Sequence, residues 1–345
     1  MYARGAIAAI ALLVVACRVV PHVNYPIPPG LSASFPPSAL STRDVFTKAF
    51  CAVLSERAFD GDGWKACSEY LQMDAVPAHT PPPDLSTDYT LLLVGGFGAE
   101  CFGPRGIRAF EDAAAHMKQH HGVNWESIPV AAFESSETNA DEIRRKVRTL
   151  TGQRFIAIAH SKGAVDFMVA LQKYSRDLER VEALITVAGA IGGSFLVDDF
   201  AALNEKVLRK LSLPCPAPRA ADNGIDSMRR KNRQEYLAQV EPQWRAYSIS
   251  AVSEEANTSK VLMPLWKRLR PYAREHDSHI LEREAVVPGG TFLGRAKGDH
   301  WAVAMPFYGK VSEDALKVIN HNKFPRPALI EAAVRVVIAD LHAHP

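Results

Sequence analysis

Little in this chain marks a nucleic-acid binder or a membrane-spanning protein. Its 345 residues carry 40 basic and 38 acidic side chains, a formal charge of only +2. That balance leaves no electrostatic footprint for nucleic acid, and no basic stripe with interleaved aromatics runs along the sequence. Cysteine is scarce, five in all, and no CxxC or Cys/His spacing marks a structural zinc site. The glycine-rich stretch Gly95-Gly96-Phe97-Gly98 matches neither G-x-x-x-x-G-K-[ST] nor G-x-G-x-x-G, so it is not a phosphate loop. Internal repeats are missing, which excludes solenoids and propellers. What remains is 47% hydrophobic residues, enough to fill a substantial core in one large α/β domain or two small ones.

The N-terminus has the layout of an export signal over residues 1–16: Arg4 supplies the positive charge, and Ala6 to Ala16 is an apolar run too short to span a bilayer comfortably. Val14-Val15-Ala16-Cys17 resembles a bacterial lipobox. That resemblance implies cleavage before Cys17 and a diacylglycerol on its sulfur. Each buried methylene contributes about 0.8 kcal/mol, so two or more chains anchor stably. A plain secretory signal and an uncleaved anchor remain open. The expected location is outside the cytoplasm, in a bacterial cell envelope, with the protein held to the membrane by its lipid. Oxidising conditions there permit disulfides. Cys51 and Cys67 flank the turn Gly61-Asp62-Gly63 and are the expected pair, whereas Cys101 and Cys215 are left undecided.

Residues 17–85 are expected to form a lipid-anchor tether and an N-terminal arm. A Pro- and Ser-rich stretch, 18–40, precedes helical periodicity over 41–74 at Val45, Phe46, Phe50, Leu54 and Leu71, and Pro77 to Pro83 breaks the chain again. Beyond it, over 86–345, strands alternate with helices. Tyr89–Val94, Ile128–Phe133, Arg154–Ala159, Val181–Val187, Trp244–Val252 and Thr291–Arg295 read as strands. Helices are predicted over Ile107–His121, Asn139–Leu150 (with Asn139 as N-cap), Gly163–Tyr174, Val261–Leu269 and Pro327–Leu341. The alternation breaks over about 192–240, where Pro214, Pro216, Pro218 and Arg229-Arg230-Lys231 mark an insertion, expected to be a helical lid. Such alternation predicts an α/β fold with a doubly wound, mostly parallel sheet.

Ala159-His160-Ser161-Lys162-Gly163 lies between the apolar run Phe155–Ile158 and an amphipathic stretch. A strand, a tight turn carrying serine and a helix make a nucleophile elbow, which lifts the hydroxyl to the sheet's end and aims a helix N-terminus at a developing oxyanion. Serine is a weak nucleophile that needs a base, and the base needs an orienting acid. His300, in Gly298-Asp299-His300-Trp301 after the last strand, is the candidate base. His116, His120 and His121 share one helix, and the first two, four apart, read as a solvated face rather than a metal pair; His342 and His344 lie in the tail. Asp277, in His276-Asp277-Ser278-His279, is the candidate acid, with Asp222, Asp226, Glu254 and Glu255 as rivals. Asp299 is set aside because an immediate neighbour rarely bonds the base's own imidazole. The backbone N–H groups of Lys162 and Phe97 are the candidate oxyanion donors. Lys162 and Asp166, four apart, suit a salt bridge.

Leu92-Leu93-Val94-Gly95-Gly96-Phe97, the elbow, and Gly298-Asp299-His300-Trp301-Ala302 together resemble the α/β-hydrolase superfamily, in its bacterial esterase/lipase-like branch with a His-Ser-Lys-Gly elbow. The resemblance covers about 85–341. It implies a Ser161 nucleophile, an Asp277 acid and a His300 base, in the chain order that such hydrolases use. Ala159 replaces the usual elbow glycine, and Gly95 stands where many members have histidine. The expectation is an exported serine hydrolase acting on carboxylic or lipid esters through an acyl-enzyme, without metal or other cofactor. Acyl transfer on the same triad, and a non-catalytic envelope lipoprotein keeping the fold as a binding module, are the alternatives. Phe195, Leu196, Phe200 and Leu203 of the insertion suit either an acyl pocket or a core.

Overall fold

The computed structural model describes residues 39–56, 64–131, 133–152, 154–201, 221–240, 244–319 and 324–344. The signal, the lipobox with Cys17, most of the tether, and Cys215 lie outside the described residues. So does the middle of the insertion.

Six strands form one sheet in the order β2-β1-β3-β4-β5-β6, every neighbour parallel. They are β1 (Tyr89–Val94), β2 (Asn124–Ser127), β3 (Arg154–His160), β4 (Val181–Val187), β5 (Arg245–Val252) and β6 (Thr291–Lys297). Helices in chain order are α1 (Ala39–Glu56), α2 (Glu111–His121), α3 (Ser136–Thr149), α4 (Lys162–Lys173), α5 (Phe195–Ala201), α6 (Ala221–Asp226), α7 (Arg230–Leu237), α8 (Met263–Leu269) and α9 (Arg326–Ala343), with short helical turns between.

Alternate residues of each strand face opposite layers. Leu91, Leu93, Ile156, Ile158, Ile185 and Ile249 pack against α1, α2 and α9. Leu92, Val94, Phe155, Ala157 and Leu184 pack against α3 and α4. With helices on both faces, a strand must be apolar throughout, and this is why β1, β3 and β4 read as near-continuous apolar runs. The doubly wound parallel sheet expected from the sequence is the one observed.

Four predicted elements differ, helix α2 by beginning at Glu111 rather than Ile107. The second strand is Asn124–Ser127, not Ile128–Phe133. As a sheet edge, it is only half buried and needs no apolar run, while Ile128, Val130 and Phe133 fill space as buried loop residues. Helix α3 starts earlier than predicted, capped by Ser135, whose Oγ accepts from Thr138 N at 3.1 Å. Asn139 is instead buried inside the helix, bonding the backbone of Ala131 and the carboxylate of Asp166. The arm's helix ends at Glu56; Leu71 lies in extended chain that pairs with Ala296 of β6.

That pairing closes an open edge. Gln72 N donates to Arg295 O and Lys297 N donates to Tyr70 O, both at 2.8 Å. The arm thus occupies donors and acceptors that β6 otherwise presents to other chains. Cys51 of α1 and Cys67 are disulfide-bonded, with Cα atoms 5.2 Å apart across 16 positions. The bond ties the edge segment to a helix that packs on α9 and β6. Replacing Cys51 and Cys67 together by alanine should lower the unfolding free energy by about 3 kcal/mol, as expected for a loop of this length, measured by urea denaturation with and without reductant.

Candidate active site

Strand β3 ends at His160 and α4 begins at Lys162, leaving Ser161 alone in the turn at φ 54° and ψ −125°. A non-glycine residue at positive φ costs on the order of 1–3 kcal/mol and persists only where the surroundings impose it. Here they do. Ser161 O accepts from Ala190 N at 3.1 Å and from Ala164 N at 3.2 Å. A Cβ on Gly163 would lie 2.3 Å from Gly95 O, and one on Gly96 would lie 2.6 Å from Ser161 Cβ. Both glycines are therefore required by contact between the elbow and the loop after β1. Ala159 lies in the core behind, and its methyl group is accommodated there.

Ser161 Oγ lies 2.9 Å from His300 Nε2, and His300 Nδ1 lies 2.7 Å from Asp277 Oδ2. All three residues are buried. The second oxygen of Asp277 accepts the N–H groups of His279 at 2.8 Å and Ile280 at 2.7 Å, and its carbonyl accepts from His300 N at 2.8 Å. The acid is thus held by its own loop before it meets the base. Burial pushes His300 below its ordinary value of 6.5, so the ring is neutral and able to take a proton.

Three of the rival acids are elsewhere, and the side chain of Asp222 lies outside the described ones. Asp226 pairs with Arg229. Glu254 and Glu255 line a separate cavity of about 1390 Å³ that touches the His300 loop only at Gly298 and Ala302. Asp299 is fully buried but faces away from the imidazole. Its carboxylate accepts from Trp301 N, Ala302 N, Ser259 N and Ser259 Oγ, and so shapes the loop that presents His300.

Because Gly96 abuts Ser161, the N–H of Phe97 belongs to the same small region as that of Lys162. The ring of Phe97, 37% exposed, meets Phe133 edge-on at 4.9 Å between centroids. Trp301, half-buried beside the base, packs with Phe102 and Phe307. The described parts of the insertion dock on these loops. Gly224 N donates to Phe133 O at 2.9 Å, Ser194 Oγ to His279 O at 2.9 Å, and Arg233 Nε to Ile191 O at 3.0 Å. Phe195 and Leu196 do not line an acyl pocket. They are buried with Leu269 and Leu281, against α8.

Sequence reasoning singled out neither His160 nor His279 for a role. His160 Nε2 lies 2.9 Å from His300 O, and its ring centroid is 4.5 Å from that of His300. His279 stacks on His300 at 4.4 Å with an interplanar angle of 16°. Their positions inside the two motifs were the available signal. Asp277, His279 and His300 bring ligand-type atoms within 4.8 Å of one another. Parallel rings, however, aim their nitrogens along parallel planes rather than at one point, and His300 is already bonded to Ser161 and Asp277. A metal ion would have to dismantle the hydrogen-bonded line. His116, expected on a solvated face with His120, instead lies 3.7 Å from buried Glu331 of α9, and its neighbour His121 lies 3.2 Å from the same carboxylate.

The residue after the nucleophile is also fixed. Lys162 Nζ bonds both oxygens of Asp166, at 2.8 and 3.0 Å, and both side chains are about 1% exposed. Asp166 further accepts from Ser136 Oγ at 2.6 Å and Asn139 Nδ2 at 2.8 Å. This network locks the first turn of α4 to α3.

No family model matches the chain, and neither does any curated protein. Among solved structures, it is similar to a metagenomic carboxyl esterase, with 29% identity, a TM-score of 0.78, and coverage of 96% of this chain and 99% of the other. The mature form of a lipase from Bacillus licheniformis superposes with a TM-score of 0.50 at 19% identity, over 64% of this chain and 87% of the lipase, a likeness of fold. The fold is that of the α/β-hydrolases, and its neighbours are esterases and lipases.

Breaking a buried ion pair by removing one partner strands a charge. Lys162→Met is therefore expected to lower the unfolding free energy by about 3–5 kcal/mol, read by urea denaturation at neutral pH.

Proposed function

We propose that the protein is an exported serine hydrolase that cleaves carboxylic esters through an acyl-enzyme on Ser161. The observation that carries this reading is the unbroken line Ser161–His300–Asp277, set on an elbow at positive φ. Its strong likeness to a carboxyl esterase over nearly the whole chain supports the same class of substrate.

In this mechanism Ser161 Oγ attacks the ester carbonyl while His300 Nε2 takes its proton. Asp277 keeps the other nitrogen protonated and in plane. The oxyanion receives the N–H groups of Lys162 and Phe97, with the α4 N-terminus aimed at it. Collapse expels the alcohol, which takes the proton from His300. Water then attacks the acyl-enzyme and gives its proton to His300, which passes it to Ser161 Oγ as the acid leaves. The exposed ring of Phe97, which follows Gly96, and the half-buried ring of Trp301, which follows His300, suit an apolar group on the ester.

The lipobox-like segment supports lipid attachment at Cys17 and a site of action at a bacterial envelope membrane. Among the described residues, no helix is long and apolar enough to cross a membrane. Replacing Cys17 by serine should abolish acyl labelling in cells; unchanged labelling overturns the anchor.

Ser161→Ala should reduce hydrolysis of p-nitrophenyl esters on the order of 10⁴-fold or more and abolish fluorophosphonate labelling. Folded wild-type protein that resists the label at Ser161 overturns the mechanism. The pH dependence has a definite sign. The base must be neutral, and its pKa is lowered from 6.5. Initial-rate kcat/KM should therefore stay level as pH falls to about 6.5 and decline only in more acidic solution.

A further inference from the structure

The mechanism places a positive charge on His300, a ring only 3% exposed. Such a charge is costly unless the surroundings replace its hydration. Asp277 meets the ring at Nδ1 and Ser161 at Nε2, so both edge positions are taken. The ring faces are what remains. His279 covers one of them, nearly parallel, at 4.4 Å.

We infer that His279 is a positioning residue of the reaction, whose stacked imidazole holds the ring of His300 in plane and stabilises its protonated form during turnover. The inference rests on the ester-hydrolase reading of the site. A neutral aromatic face within about 6 Å of a cation attracts it through the ring quadrupole, most strongly where water is excluded. His279 meets the requirement of neutrality, because burial, and then His300 beside it, push its pKa down to about 3.

The backbone that carries the ring is also held from two directions. His279 N donates to Asp277 Oδ1 at 2.8 Å, which ties it to the acid. His279 O accepts the hydroxyl of Ser194 at 2.9 Å, which ties it to the start of the insertion. Its Nδ1 is sealed from solvent without a hydrogen-bond partner. The titratable groups facing the pair are Asp277 and His160. His160, tilted by 41°, uses its Nε2 on the His300 carbonyl and presents no parallel face.

The test compares wild type with His279→Phe, which keeps an aromatic face, and His279→Leu, which keeps apolar bulk without one; His279→Met replaces the leucine variant if that does not fold. All are assayed on p-nitrophenyl butyrate across pH, and a separate sample of each is tested for fluorophosphonate labelling at Ser161. The expected result is a phenylalanine variant within about threefold of the wild-type kcat and a leucine variant about tenfold lower, with KM little changed in either. The acid limb of kcat/KM should also lie at lower pH in the leucine variant than in the phenylalanine variant, because losing the face disfavours the imidazolium. Equal kcat and equal acid limbs in the two variants, with wild type labelled, overturn the role of His279 and leave the hydrolase reading intact. An unlabelled, inactive wild type overturns both.

Discussion

The contact between the elbow and the loop after β1 is the constraint on which the site depends. Gly163 lies against the carbonyl of Gly95, and Gly96 lies against Ser161 itself, with no room for a side chain on either glycine. This approach forces Ser161 into a backbone conformation that serine avoids. It also sets the proposed oxyanion donors, because the two N–H groups belong to the residues following Gly96 and Ser161. Nucleophile and anion site are therefore two results of one close packing. The core behind them, from Ala159 through α4, and the buried network of Lys162, Asp166, Ser136 and Asn139 hold that packing against relaxation.

Around this point the site is assembled from loops at one end of the parallel strands. The loop after β1 brings Phe97, the turn after β3 brings Ser161, and the loop after β6 brings His300. Asp277 arrives from the connection between β5 and β6. Each loop has its own internal support. Asp299 gathers four donors to shape the His300 loop, and the free oxygen of Asp277 closes a turn at His279 and Ile280. The two carboxylates differ in partners rather than in burial, and that difference assigns one to the imidazole and the other to the backbone.

The central strands were legible in the sequence because a strand covered on both faces must be apolar throughout. The edge strand Asn124–Ser127 was not, because an edge half in solvent carries no such signature. The hydrogen-bonded line was legible because its residues sit in three short motifs whose spacing follows the loop order. The ring contacts of His279 and His160 with His300 were hidden, since contact between positions 21 and 140 residues apart depends on how the loops fold over each other. Leu71 misled in the same way: its apolar character fits a helical stripe, but its backbone is consumed by a sheet edge.

That edge has a consequence for how the chain reaches its final form. Leu71 meets Ala296, and Arg335 near the other end reaches the carbonyl of Pro83. An early segment thus completes a surface that exists only after the last strand has been made. A chain emerging N-terminus first carries its arm without a seat until nearly all the sequence has followed. Contacts so distant in sequence close slowly, because loop entropy is lost before they are gained. The piece made first finds its seat only once the last strand exists, so the seam joins the two halves of the chain's own history.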